Sequence, residues 1–159
     1  MKKTSNKGFS MVELIIVIAI MAILAAALAP ALIKYINKSR LSTDIQTGQT
    51  IATSIQSALA DEDANEACNL SAGSTVAVNS ILANPGNYGQ AFGDEFKAIM
   101  GVNSVNGKSA KDAANSAFAS GSKQFFVEVD PASNKVNVWY GVCDPNHLVA
   151  PTQGSSMTK

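Results

Sequence analysis

The sequence predicts an α+β protein in which one long N-terminal helix packs against a small antiparallel β-sheet head. Three observations favour this class: an uncharged apolar run at 14–33, an amphipathic helical pattern directly after it, and two alternating β-rich runs near the C-terminal end. With 159 residues, the chain has room for one modest domain with a single hydrophobic core.

The apolar run at 14–33 is long enough to cross a membrane. Twenty residues at about 1.5 Å rise form a helix of roughly 30 Å, which matches the hydrocarbon core of a bilayer. Lys2, Lys3 and Lys7 precede the run. Because short basic flanks stay in the cytoplasm, the residues after the run are expected outside. The sequence therefore predicts a transmembrane helix and an exported head.

Beyond the apolar run the helical pattern becomes amphipathic. Apolar residues and one glycine recur in steps of three and four, and the stripe consists of Leu41, Ile45, Gly48, Ala52, Ile55 and Leu59. This stripe is expected to bury against the head. Asp61, Glu62 and Asp63 are unfavourable at the negative end of a helix dipole, so the helix is expected to end near Ala60.

The remaining head carries shorter signals. The expected elements are a turn at 84–87, helices near 90–100 and 109–119, and strands at 124–129 and 135–142. The two strands flank a turn and predict an antiparallel hairpin. Residues 150–159, rich in Gly, Ser and Thr, are predicted to form a C-terminal tail.

Charge and composition argue against several function classes. The 12 Lys+Arg balance the 12 Asp+Glu, so there is no global basic field and nucleic acid is not indicated as a partner. With one histidine, His147, no catalytic Ser/His/Asp set and no Cys/His metal cluster can be assembled. We therefore expect no enzyme activity, no cofactor and no metal site, with His147 at the surface or in a loop.

The two cysteines, Cys68 and Cys143, both lie in the part of the chain expected outside. Disulfides persist in that environment, which favours a bond between them. The alternative is a pair of unrelated buried thiols.

The stretch 7–20, KGFSMVELIIVIAI, closely resembles the N-terminal signature of type IV pilins and the related pseudopilins. In that family a prepilin peptidase cuts after the glycine and methylates the new N-terminus. The resemblance therefore implies cleavage between Gly8 and Phe9 and N-methylation of Phe9. Counted from Phe9, the family's glutamate at the fifth position is Glu13, and its proline near the twenty-second position is Pro30. The eight-residue leader resembles that of the type IVa branch.

The chemistry of Glu13 and Pro30 supports the roles that the resemblance implies. An ionised carboxylate in a bilayer segment costs about 2.5–3.5 kcal/mol at the centre unless it finds a partner. The implied partner is the amine of Phe9 on a neighbouring subunit; the alternative is an interfacial acid that snorkels to water. Pro30 removes a backbone donor and should kink or loosen the helix near 23–30. That kink is also compatible with an ordinary transmembrane helix.

The resemblance implies a type IVa-like prepilin with a leader at 1–8, a long helix at 9–60 and a head at 61–159. Such a pilin is inserted in the cytoplasmic membrane, cleaved by the prepilin peptidase, and polymerised with other copies by the pilus assembly machinery. The extracellular pilus would serve adhesion, motility or DNA uptake. Two alternatives stay open: a pseudopilin of a type II secretion or competence system, and a secreted binding domain with a conventional signal that ends at 27–29.

Overall fold

The computed structural model describes residues 8–108, 123–141, 143 and 145–151. Its elements are α1 (Met11–Ala58), α2 (Glu62–Ala67), β1 (Thr75–Ala77), α3 (Val78–Ala83), α4 (Gln90–Met100), β2 (Phe125–Asp130), β3 (Lys135–Tyr140) and β4 (Leu148–Ala150). Short 3₁₀ helices occupy Pro85–Tyr88 and Pro145–His147. The chain divides into two compact units, Met1–Lys38 and Ser39–Lys159. This mixture of one long helix and a small sheet confirms the predicted α+β class.

Helix α1 covers most of the predicted range of 9–60, beginning at Met11 and ending at Ala58. It stays helical through Pro30, so a loosening before this proline remains a prediction for the assembled subunit. The first unit contains the apolar part of α1, which is long and apolar enough to span a membrane by length and composition. The most apolar stretch of this helix contains no buried residue.

The acidic residues after α1 have a second role that the sequence analysis did not predict. Asp61 caps α2, because its Oδ1 accepts a hydrogen bond from the backbone N–H of Ala64 at 3.0 Å. Glu62 and Asp63 then lie in the first turn of α2, where negative charge is favourable. The same three acids that disfavour continuing α1 therefore start the next helix.

The amphipathic stripe of α1 is buried as predicted. Ile45 is half-buried, and the other members, Leu41, Gly48, Ala52, Ile55 and Leu59, are buried. Ile51 and Ala58 are wholly buried as well, which widens the apolar face. A Cβ built on Gly48 would overlap Val149 Cγ1. Glycine thus lets α1 approach β4 closely.

The sheet is antiparallel throughout, in the order β1-β2-β3-β4. The predicted hairpin is confirmed by β2 and β3, whose register pairs Val127 with Val138. Asn134 closes the turn with φ 54°, a left-handed conformation that asparagine tolerates. Strands β1 and β4 were not predicted. Each has three residues and depends on its pairing with the central hairpin.

The core lies between this sheet and the helices of the second unit. The predicted helix near 90–100 is confirmed as α4, which buries Phe92 and Phe96 with their rings stacked at 6.2 Å between centroids. Phe125 and Tyr140 pack on each other across β2 and β3 at 5.1 Å. The predicted helix at 109–119, the end of the second predicted strand at Val142 and residues 152–159 of the predicted tail lie outside the described residues. Ala150, where the tail was predicted to begin, is buried in β4 instead.

Candidate functional site

Glu13, which the sequence analysis singled out, contacts Ser10 at the start of α1. Ser10 precedes the first helical residue and acts as its cap: Ser10 Oγ accepts a hydrogen bond from the backbone N–H of Val12 at 3.3 Å. In return, the backbone N–H of Ser10 donates to Glu13 Oε2 at 2.9 Å. The pair forms a capping box, in which serine and a glutamate three positions later satisfy two helix-end donors reciprocally.

This geometry explains how a carboxylate is accommodated beside an apolar segment. The first backbone N–H groups of a helix have no partner inside the helix, and unsatisfied donors are costly in hydrocarbon. Glu13 satisfies one of them and lies at the positive end of the helix dipole. The hydrogen bond that the structure describes for this carboxylate uses Oε2.

Gly8 and Phe9 lie immediately before the capping box and are exposed. A Cβ built on Gly8 would meet no atom within 4 Å, so the backbone here is open to approach. The Phe9 side chain is 85% exposed. Cleavage between these residues would place a new amine one residue before Ser10. Lys2, Lys3 and Lys7 lie outside the described residues.

The apolar part of α1 presents hydrophobic side chains around its whole circumference. Ile15, Ile16, Val17 and Ile18 are four consecutive positions that point in different directions, and each is at least half exposed. A helix that is apolar all round requires either a bilayer or neighbouring helices to cover it.

Sequence reasoning found this segment and Glu13, but it missed Ser10. The Ser-x-x-Glu spacing was the signal that would have identified it.

The cysteines are not joined by a disulfide bond in the structure. Cys68 follows α2 as its C-terminal cap and is half-buried. Desolvation by burial raises the pKa of the Cys68 thiol, and a hydrogen bond with the Leu70 backbone partly opposes this. Cys143 is also half-buried. The bond between the two cysteines therefore stays a prediction.

In the described part of the chain, no group of three or more His, Cys, Asp or Glu residues could hold a metal ion. His147 ends a short 3₁₀ helix and is half-buried.

The fold and this site define a class of protein that has a capped, apolar N-terminal helical segment and a small α+β head. Comparison with known families gives a match to the prokaryotic N-terminal methylation motif over residues 3–29. This match contains Gly8, Phe9, Ser10 and Glu13.

Among curated proteins, the chain is similar to the type IV major fimbrial protein FimA of Dichelobacter nodosus. The two are 37% identical over 97 residues, which cover 55% of this chain and 62% of that relative. The matched part thus spans less than two thirds of the fimbrial protein. No solved structure matches the chain. The two sequence matches confirm the resemblance to type IV pilins.

Proposed function

We propose that this chain is a major or major-like pilin, the structural subunit of a type IV pilus. The observation that carries the proposal is the uncovered apolar part of α1 with one carboxylate, Glu13, at its start. A surface of this kind is stable in a membrane or in a bundle of identical helices. A pilin uses both environments in turn, first as a membrane-inserted precursor and then as a filament subunit.

Processing between Gly8 and Phe9 prepares the subunit for assembly. The exposed Gly8 offers no side chain to a peptidase at the membrane surface, and cleavage creates an amine at Phe9. N-methylation of that amine fits the motif that matches residues 3–29. The amine of one subunit then meets the Glu13 carboxylate of its neighbour, where each charge neutralises the other inside the apolar core.

The relative is a major fimbrial protein, which favours a pilus over a secretion pseudopilus. The partners of the proposed pathway are the prepilin peptidase, the pilus assembly machinery and further copies of the chain. Adhesion, motility and DNA uptake are alternative uses of such a filament.

The proposal is tested by expressing the full chain in a host with its own pilus machinery and shearing filaments from the cell surface. Intact mass of the filament subunit should correspond to residues 9–159 plus one methyl group. A subunit that starts after Ala27 or Ala29, or a chain found only as free secreted protein, would contradict the proposal.

A further inference from the structure

The first helical turn after the apolar run carries two lysines with no acidic residue near them along α1. Lys34 and Lys38 are both exposed and lie four positions apart on α1, so their side chains share one face. No acidic residue occurs between Glu13 and Asp44. No carboxylate therefore lies within one helical turn of either lysine, and the two ammonium groups repel each other.

The same turn has the other features of a membrane interface. Tyr35 is 73% exposed and directly follows Ile33 and Lys34, at the end of the apolar run. Tyrosine is enriched where bilayers meet water, because its ring is apolar and its hydroxyl is polar. Long lysine side chains beside such a ring place their methylenes in the apolar layer and their ammonium groups among the headgroups. We call residues 34–38 the basic turn.

We infer that the basic turn binds the phosphate groups of anionic phospholipids in the outer leaflet of the cytoplasmic membrane. This inference rests on the membrane-inserted precursor of the proposed function. Each lysine near an anionic surface strengthens binding about fivefold, and screening by salt weakens the attraction. Two lysines on one helix face can contact the same headgroup or two adjacent ones, while Tyr35 fixes the depth of the turn.

The basic turn has a consequence for release of the subunit from the membrane. Moving the helix from the bilayer into a filament separates Lys34 and Lys38 from their lipid phosphates. Anionic lipid would therefore hold the subunit in the membrane, and removing the two charges would make extraction easier. The three leader lysines act at the opposite end of the helix, and they are lost on cleavage at Gly8.

The test uses the full-length precursor in detergent micelles, with phosphatidylglycerol or phosphatidylcholine added in a titration and bound lipid counted by native mass spectrometry. The wild-type chain should bind phosphatidylglycerol more tightly than phosphatidylcholine. The double variant Lys34→Gln/Lys38→Gln should lose about 25-fold of this preference, since each lysine contributes about fivefold. The matched control, Lys97→Gln/Lys108→Gln, removes two positive charges from the head and should keep the wild-type preference.

Equal losses in the double variant and the control would overturn the inference, and so would a wild-type chain without lipid preference. Alkaline extraction of the precursor from vesicles that contain both lipids separates this failure from a failure of the proposed function. A chain that resists extraction but shows no preference has an anchor and no anionic-lipid site. A chain that is extracted has no stable anchor, and both the proposed function and the inference then fail.

Discussion

The backbone N–H of Ser10 donates to Glu13 Oε2 at 2.9 Å, so Glu13 stabilises the start of its own helix before any second subunit is present. The carboxylate that is proposed to receive the amine of Phe9 from a neighbour is thereby held at the helix end in a defined position. Capping and charge pairing are separate properties of one side chain, and substitution can separate them.

The first prediction concerns Glu13→Gln, which keeps the cap and removes the charge. Glutamine completes a capping box as glutamate does, so α1 should still begin at Met11 and the precursor should insert and be cleaved. Surface filaments should nevertheless become scarce, because the amine of Phe9 loses its counter-charge.

Filaments are scored by electron microscopy, and cleavage is followed by immunoblot. Glu13→Asp, which keeps the charge on a shorter side chain, is the control and should retain more filaments. Normal yield from cleaved Glu13→Gln subunits would show that charge pairing is not the assembly contact.

Several features of this fold were predictable because their patterns persist over many residues. The amphipathic stripe advances in five steps of three or four residues from Leu41 to Leu59. In the two strands of the central hairpin, more buried and more exposed residues alternate along much of their six-residue lengths. Glu13 could be singled out because a carboxylate beside a long apolar run needs a partner, but its hydrogen bond with the Ser10 backbone N–H was not predicted.

Other features could not be predicted from local patterns. β1 and β4 have three residues each, and their strand conformation comes from hydrogen bonds to β2 and β3. α2 was missed because it has only six residues and begins at the same acids that follow α1, with Asp61 as its cap. The burial of Asp44 is also a tertiary effect: its Oδ1 accepts a hydrogen bond from the backbone N–H of Lys108 at 2.7 Å, sixty-four positions later in the chain.

The second prediction concerns the close approach of α1 and β4 at Gly48. A methyl group added by Gly48→Ala would overlap Val149 Cγ1, and overpacking of this kind typically costs about 1–3 kcal/mol. The better helix propensity of alanine returns about 1 kcal/mol, so a net loss of up to about 2 kcal/mol in the free energy of unfolding is expected. Chemical denaturation followed by Trp139 fluorescence measures it.

A double-mutant cycle with Val149→Ala makes this test specific. Val149→Ala alone should destabilise the head by leaving a cavity. Combined with Gly48→Ala, it removes the closest overlap of the new methyl group, which is with Cγ1, although the Cβ of residue 149 stays close at 2.9 Å. The two effects should therefore be less than additive. Thr50→Ala, at an exposed position of the same helix, is the control for helix propensity and should not lower stability. Strict additivity would contradict the predicted contact.

The third prediction is that the head folds without the apolar part of α1. A chain that begins at Lys34 lacks Glu13 and the whole uncharged run but keeps the stripe from Leu41 to Leu59, which packs in the second unit. It should be soluble and monomeric by light scattering, with a cooperative thermal transition. It should form no filaments, since the proposed assembly surface is absent. Filaments from this truncated chain would contradict assembly through the helix.

The fourth prediction concerns Asp130 in the turn between β2 and β3. Ser133 Oγ donates a hydrogen bond to Asp130 Oδ2 at 2.6 Å, and this bond is the largest cause that lowers the pKa of Asp130. Backbone hydrogen bonds from Ser133 and Ala132 and the charge of Lys135 also lower it. A carboxylate whose pKa is lower in the folded state stabilises the fold above its unfolded pKa. This stabilisation is lost as pH falls through the folded pKa.

Ser133→Ala should therefore raise the pKa of Asp130 toward its usual value and reduce the pH dependence of head stability under acidic conditions. Because the Asp130 carboxyl group is open to solvent, the change in stability at neutral pH should be small. Carbon-detected NMR titration of the Asp130 carboxyl group measures the pKa directly. Ser57→Ala, on the exposed side of α1, should leave that titration unchanged. The prediction is wrong if Ser133→Ala does not move the Asp130 titration.

The fifth prediction is that Cys68 and Cys143 form a disulfide bond in the exported protein. Such a bond would close a loop of 76 residues and, in the entropic model, contribute roughly 4–5 kcal/mol to stability before native strain is subtracted.

Because burial raises the pKa of the Cys68 thiol, slow alkylation of the native protein does not distinguish a buried thiol from a bonded one. Alkylation should therefore be done in denaturant, after acid quenching, with and without a reductant. Intact mass should show no alkyl group on the unreduced chain and two after reduction. The variant Cys68→Ser/Cys143→Ser should match the reduced wild-type protein in thermal stability. Two alkyl groups on unreduced filament subunits would show that the bond is absent from the assembled protein.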